Sequence, residues 1–169
     1  MLGFYTNFPQ NIHRAETFST QISSKKLQQT LVETLHRLNS ETLSLEEVAA
    51  PSIPGCNVIF EVGVAEDNDF NYLDDEERKR LLGALSKKPF QVMDFLWVIR
   101  YRRMVEERKN RMRFDYYMLR LLFSEGLVEI QVWHEKGTRH TSPEDLVKLV
   151  VNRINGAFSK KVLRPSEAV

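Results

Sequence analysis

Alternation of apolar and polar positions in the second half of the chain predicts three long strands. Phe95-Leu96-Trp97-Val98-Ile99-Arg100-Tyr101 and Met112-Arg113-Phe114-Asp115-Tyr116-Tyr117-Met118-Leu119 are rich in β-branched and aromatic residues, and Val128 to Trp133 alternates cleanly. The polar run Glu106 to Arg111 and the pair Glu125-Gly126 separate them, and Asn110 and Gly126 tolerate the left-handed backbone of a hairpin tip. Turns centred on Lys109-Asn110 and on Glu125-Gly126 put Leu96, Val98, Leu119, Leu121, Phe123, Val128, Ile130 and Val132 on one face, the expected core face. The other face then carries Trp97, Ile99, Tyr101, Arg103, Phe114, Tyr116, Met118, Arg120, Glu129, Gln131 and Trp133. Monomers rarely leave so wide an aromatic face bare, so a cover is expected: a helix of the same chain, a second copy, another partner or stacked nucleic-acid bases.

Elsewhere the period changes from two to 3.6. Leu27, Leu31, Leu35 and Leu38 recur at helical spacing over Lys25 to Asn39, with Ser23 or Ser24 as cap. Asp74 to Lys88 opens with four acids and closes with two lysines, as the helix dipole favours. Ser142 as cap and Pro143 at the first position begin a third helix, with Leu146, Leu149, Val150, Ile154 and Ala157 as its buried stripe. Strands are expected over Asn11–Thr20 and Asn57–Val64, with a short helix after Ser44 and a last strand over Lys160–Arg164. If the strands near 11–20 and 57–64 pair, the helix between them makes a right-handed crossover; an antiparallel arrangement stays open. The fold class is α+β: a single domain over 1–169, mainly antiparallel, its sheet centred on a three-stranded meander at about 90–135. Three amphipathic helices at 24–39, 74–88 and 143–157 pack it, and residues 1–10 and 165–169 fray.

Composition narrows the classes. With 169 residues and 42% hydrophobic content the chain can bury one real core. It has no apolar run approaching the ~20 residues of a membrane span and no basic-then-apolar leader at Met1 to Pro9, so no membrane role is expected and the expected location is cytoplasmic. Cys56 is the single cysteine, which excludes an internal disulfide and a multi-cysteine zinc site. The net charge of +1 hides a segregation: residues 1–99 carry a net of −5 and residues 100–169 a net of +6. Such asymmetry points to polyanion contact or complementary self-association.

The basic hairpin is the strongest chemical signal. Arg100, Arg102, Arg103, Arg108, Lys109, Arg111 and Arg113 fall within one hairpin against only Glu106 and Glu107. Guanidinium forks match phosphate, and Trp97, Tyr101, Tyr116 and Trp133 are the rings on which bases stack, so nucleic acid is the expected partner of a non-enzymatic binding module. The alternative partner is a protein: a homodimer or an assembly docking through the same sheet face. The acidic stretch Glu61 to Glu77 fits a second molecule's basic hairpin. It is not a calcium loop, because Tyr72 stands where Gly is needed and Arg78 where the bidentate Glu is needed. His13, His36, His134 and His140 lack metal-ligand spacing, and with no Gly-rich phosphate loop or nucleophile elbow no cofactor, metal or catalytic residue is assigned.

From Asp74 on, the order α-β-β-β-α resembles the core of the PD-(D/E)xK nuclease family. The matching positions are Asp115 on the second strand, Glu129-Ile130-Gln131 on the third and Glu77 on the helix. The resemblance implies a divergent relative, inactive because Gln131 stands where the family has lysine and an amide brings no charge to a developing phosphate oxyanion. The expected register also sends Asp115 and Glu129 to opposite faces unless a bulge intervenes.

Overall fold

The computed structural model describes residues 1–50, 52–103 and 113–166. In chain order the elements are β1 (Arg14–Ser19), α1 (Ser24–Leu38), β2 (Thr42–Ser44), a 3-10 turn at Leu45–Glu47, β3 (Cys56–Glu66), β4 (Asp69–Tyr72), α2 (Asp75–Lys87), β5 (Val92–Arg103), β6 (Arg113–Ser124), β7 (Leu127–Gly137), α3 (Pro143–Gly156) and β8 (Arg164–Pro165). Among the described residues the strands form one eight-stranded sheet in the order β2-β3-β5-β6-β7-β1-β8, with β4 also on β3 and every pair antiparallel. This is the expected α+β architecture. β1 does not pair with β3: it joins the far side of the meander on β7, with Arg14 opposite Val132 and Phe18 opposite Val128, so α1 carries the chain across the whole sheet.

The three helices form one layer on one face. Ser23, Asp74 and Ser142 cap them through their side chains, accepting from the backbone N–H of Lys26, Glu77 and Asp145. Leu27, Leu31, Val32, Leu35 and Leu38 of α1, Leu81 and Leu85 of α2, and Leu146, Val150 and Ile154 of α3 are buried against the sheet, whereas Ala157 is exposed just past the end of α3. Arg78 of α2 reaches Glu33 of α1 at 2.9 Å. Buried Gln28 donates to the Phe90 carbonyl at 2.7 Å and accepts from the Phe90 N–H at 2.8 Å, fixing the entry to β5. Asn39, just after α1, does the same for the edge of β3 between β2 and β4: it accepts from the Val62 N–H at 2.7 Å and donates to the Leu73 carbonyl at 3.0 Å.

The sheet corrects the expected face of β5. Met93, Phe95, Trp97, Ile99 and Tyr101 point into the core, whereas Leu96 and Val98 point away from the helices and are only partly buried. On β6 and β7 the expectation holds, with Leu119, Leu121, Val128, Ile130 and Val132 inside. Trp97 lies opposite Tyr117 and Val98 opposite Tyr116, so the β5–β6 register is five residues away from the one a turn at Lys109-Asn110 would set. That odd-residue shift exchanges the two faces of the strand. The second turn pairs as expected, from Ser124 opposite Leu127 to Tyr117 opposite His134, and a bulge then falls between Tyr117 and Tyr116, which lies opposite Lys136.

The first residues do not fray. β3 diverges from β5 beyond Val62, and the N-terminal segment fills the gap: Gly3 donates to the Ala65 carbonyl and accepts from the Asp94 N–H, both at 2.7 Å. Gly3 has φ +84°, and Phe90 packs where a side chain would begin. Asp94, fully buried, accepts from the Tyr5 N–H at 2.7 Å and from Arg120 at 2.7 and 2.8 Å, and the Arg120 guanidinium lies over the rings of Phe8 and Phe4. A buried ion pair that needs a cover explains why this segment is ordered. At the other terminus Ser166 donates to the Thr17 carbonyl at 2.9 Å, beside the short strand β8.

Candidate functional site

The helices leave the opposite sheet face open except where residues 1–8 lie on it. Cross-strand pairing sets out its rows: Ile59, Arg100 and Phe114; Glu61, Val98, Tyr116 and Lys136; Leu96, Met118 and Trp133. Of the four aromatic residues expected at a binding face, Tyr116 and Trp133 are here. Trp97 is fully buried and Tyr101 is 5% exposed, both in the core, because the face of β5 is exchanged. Phe114 takes their place beside Tyr116, ring centroids 6.3 Å apart, and His13 stacks on Trp133 at 6.3 Å.

Cations gather at the end of this face where β5 leaves and β6 returns. Arg102 and Lys136 are exposed on the open face there and Arg100 is partly buried on it, whereas the exposed Arg103 and Arg113 share the parity of Tyr101 and Asp115 and leave the same sheet end on the helix side, as does Arg139 in the loop after β7. Arg100 pairs with Glu61 at 2.8 Å and lies 5.5 Å from the centre of the Phe114 ring, and Lys136 sits 4.6 Å over Tyr116. Arg108, Lys109 and Arg111 lie outside the described residues. The sequence reading put Phe114 on this face but left it out of the binding residues, and it missed Lys136 and Arg139 altogether. Phe114 was legible from its parity with Tyr116, but Lys136 and Arg139 are placed by the bulge and by the loop after β7, which no periodicity reports.

That loop is held from beneath by Asp115, on the core face and fully buried. Its carboxylate accepts from the Tyr101 hydroxyl at 2.5 Å, from His134 Nε2 at 2.8 Å and from the backbone N–H of Arg139 and His140 at 2.6 and 3.1 Å. With Nε2 donating, His134 Nδ1 accepts from Arg139 Nε at 3.2 Å, and the His134 backbone N–H donates to His13 Nδ1 at 2.9 Å. Tyr101 also bonds the Thr141 hydroxyl at 2.8 Å, and the Tyr117 hydroxyl donates to the Thr141 carbonyl. Burial and then the neighbouring Asp115 carboxylate push both tyrosine hydroxyls far above their ordinary range, so they stay protonated donors. The His13 imidazole is pushed down by burial and then by Arg139 and His134, which suits its role as acceptor.

Gly137 makes the arrangement possible. It has φ +125°, and a Cβ there would overlap the Phe114 carbonyl oxygen and the Asp115 carboxylate. Gly137→Ala is expected to cost about 2–3 kcal/mol from backbone strain alone, seen as a thermal midpoint lowered by roughly 5–10 °C.

The carboxylates of the nuclease-like pattern do not meet. Asp115 is inside the core among its own donors, whereas Glu129 is on the open face, opposite Leu122 near the far end of β6. The bulge between Tyr116 and Tyr117 lies beyond the Leu122–Glu129 pair and exchanges no face at Glu129. Glu77 sits in the first turn of α2, 3.6 Å from Arg80. Among the described residues no three His, Cys, Asp or Glu side chains are grouped to hold a metal ion, and no helix is long and apolar enough to cross a membrane. Cys56 is buried, and desolvation raises its thiol above the ordinary range, which makes it a packing residue. Searches against protein-family models, curated proteins and solved structures return no match for this chain.

Proposed function

We propose that the chain is a non-enzymatic binding module that takes nucleic acid at the basic end of its open sheet face. The observation that supports this reading is the gathering of Arg102, Arg103, Arg113, Lys136 and Arg139, from three strands and a loop, at one end of the sheet, with Arg102 and Lys136 on the open face beside the partly buried Phe114 and Tyr116. The expected hairpin cations Arg108, Lys109 and Arg111 fall between Arg103 and Arg113 in the sequence. Guanidinium and ammonium groups next to aromatic rings suit a phosphate backbone with bases alongside.

Binding of a fluorescent oligonucleotide should weaken steeply as salt rises, because each phosphate contact releases a counterion. Arg102→Glu with Arg113→Glu should lower affinity about tenfold or more, and two lost contacts should flatten the log–log salt slope by about 1.4, at about 0.7 per single-strand contact. Binding that ignores both salt and these substitutions counts against the reading.

A further inference from the structure

Inward of its basic end, the open face has a middle that shares only Tyr116 and Lys136 with the proposed nucleic-acid site. Leu96, Val98, Met118, Tyr116 and Trp133 lie on adjacent strands with no helix over them, and Met118 is already 7% exposed between its neighbours. Five strands, β3, β5, β6, β7 and β1, at ~4.8 Å spacing, and about seven residues of strand at ~3.3 Å each, give an open area on the order of 500 Å². Part of that area is polar, and its apolar residues are each partly buried by their neighbours, leaving an apolar centre with charges at its rim.

We propose that this middle is a two-fold interface between two copies of the chain. The row Glu61, Val98, Tyr116, Lys136 is acid, apolar, apolar, base across four neighbouring strands. A two-fold axis parallel to the strands, passing between β5 and β6, lays that row on its own reverse. Glu61 of each copy then faces Lys136 of the other, and the apolar residues face one another. An unrelated partner needs no such order; a second copy does. The other charges of the region are accounted for within the chain. Arg100 pairs with Glu61 through one carboxylate oxygen, Arg120 is sealed on Asp94, and Gln131 donates to Glu129 at 2.5 Å. Two copies bury about 1,000 Å² in total, the lower bound of specific interfaces, so the dimer is expected to depend on concentration. Aligned sheet packing at roughly 30° leaves both basic ends at the same end of the dimer.

The test is light scattering on purified protein across a concentration series, without nucleic acid. The wild type should pass from monomer to dimer, and Val98→Lys should stay monomeric while keeping the wild-type circular dichroism. Lys136→Glu and Glu61→Lys should each be monomeric, because each homodimer sets two like charges face to face. An equal mixture of the two variants should dimerise, since each chain then meets its opposite, and that rescue shows that both are folded. A wild type that is monomeric throughout, a dimer untouched by Val98→Lys, or a mixture that stays monomeric overturns the proposal. None of these outcomes depends on nucleic-acid binding, so the two readings fail separately.

Discussion

Asp115→Ala is expected to lower the stability of the fold by about 3–5 kcal/mol, the usual result of removing one side of a buried charged network. The carboxylate is fully buried and receives four donors: the Tyr101 hydroxyl, His134 Nε2, and the backbone N–H groups of Arg139 and His140. Truncation leaves these donors facing a void that water cannot readily reach, and each unsatisfied buried donor costs about 1–3 kcal/mol. Net stability of domains is about 5–15 kcal/mol, so the loss is a large share of the whole. Asp115→Asn should fall between, since the amide keeps one acceptor oxygen but points an N–H₂ group at donors. The check is the urea midpoint of the three proteins. If Asp115→Ala unfolds at the wild-type midpoint, the carboxylate does not hold the loop after β7. Because the same loop carries Arg139, a folded Asp115 variant should also bind oligonucleotide more weakly.

The second large effect is expected at Trp97. Trp97→Ala removes the largest fully buried side chain of the core, packed edge-on to Phe60 with centroids 5.8 Å apart, and should cost about 3–5 kcal/mol. Its indole N–H finds no acceptor among the described residues. Trp97→Phe therefore gives up no hydrogen bond and should cost clearly less than the alanine. The neighbouring Val98→Thr, on the open face, should change stability by no more than about 0.5 kcal/mol. This contrast between adjacent residues, measured by urea unfolding, tests the register directly. If Val98 were the core residue of β5, the two costs would be reversed.

The error in that strand has a definite origin. Both faces of β5 are apolar in the middle, so Leu96 and Val98 compete with Trp97 and Ile99 for the core and alternation alone leaves the choice open. The deciding signal was at the strand ends. Asp94, Arg100 and Arg102 share the parity of Leu96 and Val98, whereas Met93 and Tyr101 share that of Trp97. Assigning the turn to Lys109-Asn110 overrode that signal, and any odd shift of register, here five residues, exchanges every side chain. The Glu125-Gly126 turn succeeded because Gly126, at φ +73°, is where the left-handed conformation is needed.

The sequence by itself determined the helices, their caps and their buried stripes, together with the three-stranded meander and its second turn. Each depends on residues a few positions apart: Ser23 on Lys26, Asp74 on Glu77, Ser142 on Asp145, and leucines one or two turns along a helix. Tertiary structure decided the rest. It placed β1 beside β7, threaded the N-terminus between β3 and β5, set the face of β5, and gathered Tyr101, Asp115, His134 and Thr141 from distant parts of the chain. These contacts have no local period, because a buried polar group or an open strand edge is satisfied by whatever the whole sheet brings alongside it.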